Sequence, residues 1–472
     1  MLGGEGPNGE EGETIVSLDD VQPQKSKDLE LPPEGRGEAP SAGRSAEAAS
    51  ATGENARLGA RGLMEAVVER RNLQLALKRV KQNKGSPGID GMTVESLPDH
   101  LRAHWPALRE QLLAGTYQPQ PVKRQTIPKS GGGERELGIP TVLDRFIQQA
   151  LLQVLQPRFD PTFSQHSHGF RPGRRAHDAV REAQRYVQQG RSWVVDVDLE
   201  KFFDRVNHDV LMGRLAKRID DRRVLGLIRR YLTAGILAGG MVVERHEGTP
   251  QGGPLSPLLA NTLLDEVDKE LEKRGHAFVR YADDCNVYVR SEQAGERVMQ
   301  SLRRLYARIR LRINASKSAV ARVWDRKFLG YSFWRATGYE VRRRVASKAL
   351  DAMKERVRRI TRRSCGRSLA QVCAELRSYL AGWKSYFRLA DTPGVFARLD
   401  EWIRHRLRAL QLKHWKRGTT IYRELRARGL SSRAAARVAT NGRRWWRNSA
   451  MAINIALPNG LFDELGLPRL AA

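Results

Sequence analysis

A chain of 472 residues has room for about three domains of ~100–200 residues each, and its 40% hydrophobic content is enough to fill their cores. No run approaches the roughly 20 apolar residues of a membrane span. The N-terminus lacks a charged-then-apolar export signal. The three cysteines (Cys285, Cys365, Cys373) make no Cys-x-x-Cys pair, which argues against a zinc module or disulfide framework and fits a reducing compartment.

Charge is the strongest global signal. Residues 1–56 carry twelve acidic and four basic side chains, net −8, which leaves +37 on the rest of a chain whose total is +29. So large a surplus makes a compact fold repel itself unless a polyanion neutralises it. Nucleic acid is the natural partner, since neutralising phosphates releases condensed counterions. Charge alone says nothing of chemistry, and a merely basic, ribosome-associated surface would look the same.

In chain order, residues 1–56 are rich in Gly, Glu, Pro, Ala and Ser, and read as a disordered acidic leader because they bury too little to offset their ordering entropy. A helical pattern begins at Leu63 and continues through Val67, Leu73 and Leu77 to the breaker Gly85-Ser86-Pro87-Gly88. The middle, about 120–335, mixes strands and helices. Ser192 to Asp198 reads as a buried strand ending in carboxylates, and Ala277 to Val289 as a hairpin with Asp283 and Asp284 at its turn. Three helical stripes follow: Leu350, Met353, Val357 and Ile360; then Leu369, Val372, Leu376, Leu380, Trp383 and Phe387; then Phe396, Leu399, Ile403, Leu407 and Leu410. Arg and Lys crowd their other faces.

Asp198 on one strand and Asp283 and Asp284 on a neighbouring turn form the donor set that two-metal phosphoryl transfer uses: hard oxygen ligands for two divalent ions. An isolated Asp-Asp pair is more often a solvated turn. Here the pair sits within Tyr281-Ala282-Asp283-Asp284 in an apolar hairpin, and Asp198 is followed by Phe202-Phe203-Asp204. This resembles the palm of reverse transcriptases, with its Tyr-x-Asp-Asp motif. Other blocks recur in the family's order: Lys129-Ser130-Gly131-Gly132-Gly133-Glu134-Arg135 through Pro140, His168-Gly169-Phe170-Arg171-Pro172, Gly248 through Pro257, Asn314 with Lys317, and Phe328-Leu329-Gly330-Tyr331.

The resemblance implies Asp198, Asp283 and Asp284 as ligands of two Mg²⁺ ions, with the Leu199 carbonyl completing the nucleotide-side ion. It implies Lys129, Arg135, Phe203 and Gln251 around the incoming dNTP, Phe203 excluding a ribose 2′-hydroxyl, and Lys317 as general acid for pyrophosphate. Plain core packing competes for Phe203, and simple solvated charge for Lys129, Arg135 and Lys317. Asp196 shares a strand face with Asp198 and reads as a structural acid satisfied by local amides, or as a supporting charge.

The flanks are similar to enzymes encoded by group II introns. The Leu63–Thr93 block, with its closing run Lys84 through Gly91, looks like their N-terminal extension. Leu380 through Ala390 resembles the maturase-specific, or X, domain, and Leu412–Arg417, Trp445–Ser449 and Asn459–Leu470 recur in bacterial members. The expected fold is α+β: right-hand polymerase fingers and palm, then an all-α three-helix thumb. The expected divisions are 1–56 (leader), 57–119 (extension of the fingers), 120–336 (fingers and palm), 345–420 (maturase domain and thumb) and 421–472 (basic extension). Such an enzyme copies its intron RNA into DNA and assists splicing in a bacterial cytoplasm, with intron RNA, target DNA, primer and dNTPs as partners. Without paired cysteines after Pro468, no C-terminal endonuclease is expected, so the primer would come from elsewhere. Two rival readings stand beside this one: a splicing cofactor with a vestigial polymerase, and an enzyme domesticated for phage defence or CRISPR spacer capture.

Overall fold

The computed structural model describes residues 62–472 apart from 129–133, 239–240, 244–246, 250–251, 365, 442–443, 450–452 and 472. The acidic leader, Lys129, Gln251 and Cys365 therefore lie outside the described residues, as does the side chain of Arg135.

The helical pattern at Leu63 resolves into two helices, α1 (Leu63–Val67) and α2 (Arg70–Asn83), with Glu69 extended between them. Tertiary contact explains the break. Asn72 Nδ2 donates to the Val67 carbonyl at 2.9 Å and to the Ala150 carbonyl at 3.0 Å, capturing an acceptor that a continuous helix would use itself. Ala76 and Val80 are the buried positions of α2, and Leu73 and Leu77 are half-buried against the same core. Helix α2 ends at Lys84, whose φ of 44° is left-handed, just before the Gly85–Gly88 breaker.

After α3 (Leu97–Ala114), β1 (Val122–Pro128) and β2 (Glu134–Ile139) pair antiparallel, with the Gly-rich segment at their connection. They form a small sheet of order β2-β1-β4-β5 with β4 (Ile236–Ala238) and β5 (Met241–Val243). Helix α4 (Val142–Phe159) begins at Thr141, whose side chain caps it by accepting from Asp144 N.

A second sheet holds the candidate site. Its order is β6-β7-β3-β8, all neighbours antiparallel, with β3 (Trp193–Val197), β6 (Ala277–Tyr281), β7 (Asp284–Val289) and β8 (Ala319–Arg322). Side chains alternate faces along a strand, and two cores result. Val195, Val197, Phe278, Cys285 and Val287 face the larger, together with α1, α4, α6 (His208–Ala216), α7 (Arg222–Thr233), α8 (Ser256–Lys273) and α9 (Glu292–Arg308). Val194, Val279 and Tyr288 face the other way, onto α5 (Ala176–Gln188).

That second core continues without interruption into the helical part. It takes in β9 (Tyr331–Arg335), β10 (Val341–Val345), α10 (Ser347–Ile360), α11 (Leu369–Phe387) and α12 (Pro393–His414). The three stripes expected from sequence lie on these helices. Met353, Val357, Ile360, Val372, Leu376, Leu380, Trp383, Phe387, Leu399, Ile403, Leu407 and Leu410 are buried, while Leu350, Leu369 and Phe396 are half-buried at the edge. The architecture is the expected one: mixed α/β fingers and palm, then a helical unit.

A third, smaller core joins Leu412 and Trp415 to α13 (Gly418–Ala427), α14 (Ser432–Thr440), α15 (Trp445–Asn448) and α16 (Ile453–Ala456). The closing run then turns back. On α17 (Asn459–Glu464), Phe462 packs with Leu467 and Leu470 into the second core, and Arg404 ion-pairs with Asp463 at 3.0 Å. Cys285 and Cys373 are free and buried.

Candidate active site

The sheet brings the carboxylates together through register. Val197 of β3 pairs with Cys285 of β7, so continuing the ladder by one residue sets Asp198 beside Asp284. Tyr281 and Asp284 close the β6–β7 hairpin, leaving Ala282 and Asp283 as a two-residue turn. Ala282 is left-handed, φ 59°, as tight hairpin turns demand. Both aspartates were expected at the turn; Asp283 is there, and Asp284 opens the outgoing strand.

Asp198 is fixed from the far side. Its N–H donates to Ser318 Oγ at 2.9 Å, and its carbonyl accepts from Asn314 N at 2.9 Å. With Glu200 N donating to the Arg312 carbonyl, Leu199 and Ile313 make a non-hydrogen-bonded antiparallel pair, which turns the Leu199 carbonyl away from Ile313. Lys317 Nζ lies 3.7 Å from Asp198 Oδ2, its side chain 68% exposed. Asp196, two residues earlier, is paired with Arg326, whose Nε donates at 2.8 Å. A guanidinium thus joins the local amide partner expected from sequence, the Asn286 side-chain amide, which in its hydrogen-bonding orientation donates to Asp196 Oδ1 at 3.0 Å. Burial pushes the Asp196 carboxyl up, against the pull of Arg326.

Phe203 sits in a short 3₁₀ turn, half-buried and edge-on to Phe202 at 4.9 Å. Its carbonyl accepts from Thr249 N at 2.7 Å, and Gly248 packs so closely on Asp204 that a Cβ there would come within 2.9 Å of the Asp204 carbonyl oxygen. Gly248 and Thr249 are therefore anchored beside Phe203 and Asp204, while Gln251 lies outside the described residues. Arg135 lies on β2, its backbone opposite Ile127.

The His168–Pro172 block is structural where it can be read. Arg171 is buried, donating to Asp160 and to the Ser164 and Ser167 carbonyls. His166 and His168 both contact Glu182 of α5, at 2.6 and 2.7 Å. Three groups that sequence reasoning passed over also border the turn: Arg280, Asp268 and Asn261, all buried. The available signal was an arginine inside the apolar strand Ala277–Tyr281, a place where a charge needs a buried partner.

Among the described residues, no three His, Cys, Asp or Glu side chains converge into a ready-made metal cage. On the helical unit, cations flank indole rings. Arg358 and Arg406 lie 5.9 and 5.4 Å from Trp402, and Arg363 and Lys413 lie 5.3 and 5.4 Å from Trp445. Burial, then the charges of Arg358 and Arg363, weakens the hold of Arg406 on its proton. Trp383 and Phe387, by contrast, are core.

A strand-end aspartate beside a Tyr-x-Asp-Asp hairpin, backed by helices and followed by a helical unit, defines a template-directed polymerase palm. Residues 127–333 match the reverse transcriptase (RNA-dependent DNA polymerase) family, and residues 350–429 the group II intron maturase-specific domain. Protein YkfC of Escherichia coli is 33% identical over 328 residues, covering 60% of this chain and 86% of YkfC. The group II intron-encoded protein LtrA of Lactococcus lactis is 42% identical over 196 residues, covering 41% of this chain and 32% of LtrA. Nuclear intron maturase 1 of Arabidopsis thaliana is 41% identical over 201 residues, covering 31% of this chain and 27% of its own. A solved partial Cas6-RT-Cas1–Cas2 complex aligns at TM-score 0.35 and 28% identity over 53% of this chain and 42% of that one. The chain belongs to the group II intron reverse transcriptase and maturase family. Its enzyme class is RNA-directed DNA polymerase, a class that depends on divalent metal. No helix among the described residues is long and apolar enough to cross a membrane.

Proposed function

We propose that this enzyme copies intron RNA into DNA at Asp198, Asp283 and Asp284, and that its helical unit also holds the intron RNA in its splicing-active shape during retrohoming. The observation that carries the reading is the register that sets Asp198 beside Asp284 and next to the Asp283 turn. The donor set is three carboxylates and the Leu199 carbonyl, all hard oxygens. It suits Mg²⁺, which leaves most of its octahedron to water and substrate phosphate and so needs no closed cage. Two bound ions would supply an activated 3′-hydroxyl and charge relief for the departing pyrophosphate.

The chain's own residues do the rest. Phe203, anchored to Thr249, closes the floor beneath the sugar. Lys129 and Arg135, on either side of Gly131-Gly132-Gly133 in the sequence, hold the triphosphate. Lys317, exposed beside Asp198, carries a proton toward the leaving group. The Trp402 and Trp445 clusters offer cations for phosphate and ring faces for unpaired bases. Intron RNA, target DNA, primer and dNTPs are the partners this reading requires.

Primer extension on an RNA template with Mg²⁺ and dNTPs tests it, run beside Asp283→Ala. DNA product that disappears in the variant supports the polymerase and its metal site together. Absence of product from folded, RNA-binding protein overturns the polymerase and favours a splicing cofactor.

A further inference from the structure

The turn that carries Asp283 is held in a conformation its own sequence does not favour. Ala282 has a Cβ yet sits at φ 59°, a region that disfavours L-residues by roughly 1–2 kcal/mol. Gly or Asn would adopt it freely. Something outside the turn must hold it.

Arg280, two residues earlier, reaches forward along its own strand. Its Nη1 donates to the Ala282 carbonyl at 2.7 Å and to Asn261 Oδ1 at 2.9 Å. Its Nε and Nη2 grip Asp268 at 2.5 to 2.9 Å, with the two side chains 1% and 0% exposed. Asn261 and Asp268 are seven residues apart on α8 and so share a face. The other side of the turn is closed by the strap 166–169. His168 N donates to the Arg280 carbonyl, Arg280 N to the His166 carbonyl, and Asn261 Nδ2 to the Gly169 carbonyl, each at 2.9 Å. Gly169 lies so close that a Cβ would stand 2.1 Å from Ala282 N.

A fully buried ion pair contributes little net stability compared with apolar residues of the same volume. Stability is therefore a poor explanation for a guanidinium here. The geometry points to Arg280 as a positioning residue: held by Asp268 and Asn261, it clamps the Ala282–Asp283 peptide plane and thereby sets the direction of the Asp283 carboxylate toward its metal. The Ala282 carbonyl and Asp283 N belong to one planar unit, so fixing the carbonyl limits how the next Cα presents its side chain. This inference rests on Asp283 being a metal ligand.

The test uses the full chain and two variants. Arg280→Met with Asp268→Leu removes the pair without stranding a buried charge. Arg280→Lys keeps a cation for Asp268 but lacks the fork that spans Asp268, Asn261 and the Ala282 carbonyl. Melting temperature, Mn²⁺ binding to the protein alone by electron paramagnetic resonance, and kcat and KM for template–primer are measured for each.

The expected result is a melting temperature within a few degrees of the parent for at least Arg280→Lys. Mn²⁺ affinity and kcat should each fall about tenfold or more, KM should not change, and raised Mn²⁺ should recover part of the activity. A folded variant of either kind that binds Mn²⁺ and turns over like the parent overturns the proposal and leaves the pair as packing. Asp283→Ala that binds Mn²⁺ as tightly as the parent overturns the metal-site reading itself, whatever the Arg280 variants do.

Discussion

Phe203 and Lys317 separate packing from chemistry most cleanly. Phe203 is half-buried, so truncation removes a core contact and, on the proposed role, the floor beneath the sugar. Phe203→Ala should lower discrimination against ribonucleotides by on the order of 10- to 100-fold, the range that shape-based pockets command. Parallel extension with dNTPs and rNTPs reads this out, and unchanged discrimination would leave Phe203 as core alone. Lys317 makes an exposed 3.7 Å ion pair with Asp198, which is worth little to the fold. Lys317→Ala should therefore leave stability within about 0.5 kcal/mol. It should slow nucleotide addition by roughly 10²-fold or more, as loss of a general acid does. Single-turnover kinetics and a thermal melt on the same sample decide the point.

At the scale of the element, α5 couples the sheet to its surroundings through Glu182. Burial would raise that carboxyl, but hydrogen bonds from His166 and His168 outweigh it and hold it at about 2. The bond to Glu182 in turn lifts His166 above its ordinary value, against burial. The signs follow directly. The His166 contribution is complete below its unfolded value and is lost as pH rises through its raised folded value. The Glu182 contribution is present above the usual carboxylate range and is lost as pH falls toward about 2. Thermal melts across pH should show both limbs, and Glu182→Gln should flatten them; a variant that keeps the neutral-range limb excludes His166 as its source.

Elements with a strong apolar period were legible in the sequence, namely β3, the β6–β7 hairpin and the three stripes of α10, α11 and α12, because burial of one face dictates them. The break between α1 and α2 was not, since it depends on Asn72 reaching Ala150, a contact between residues far apart in the chain. The carboxylates were legible through motif order. Arg280, Asp268 and Asn261 were not, because their significance lies in a shared interior that periodicity cannot reveal, and the Arg326 partner of Asp196 is hidden for the same reason.

For the whole molecule, the surplus of +37 outside the leader must act chiefly on phosphate. Neutralising several phosphates makes affinity fall steeply with salt. RNA binding should weaken by roughly 10³- to 10⁵-fold between 50 and 200 mM monovalent salt if six to ten phosphates are engaged. Filter binding over that range measures the slope, and a shallow one would mean recognition rests on the ring stacks at Trp402 and Trp445 instead of on charge.

The unbroken core running from β3 and α5 into α11 and α12 has a mechanical consequence. Val194 and Val279 under the catalytic sheet belong to the same apolar mass as Leu380 and Leu407. Swinging the helical unit away from the sheet would open voids at about 24 cal/mol for each Å³. The enzyme is thus stiff where a jaw would flex. Movement during copying should therefore fall outside that core, in elements such as the small β2-β1-β4-β5 sheet, which shares none of it.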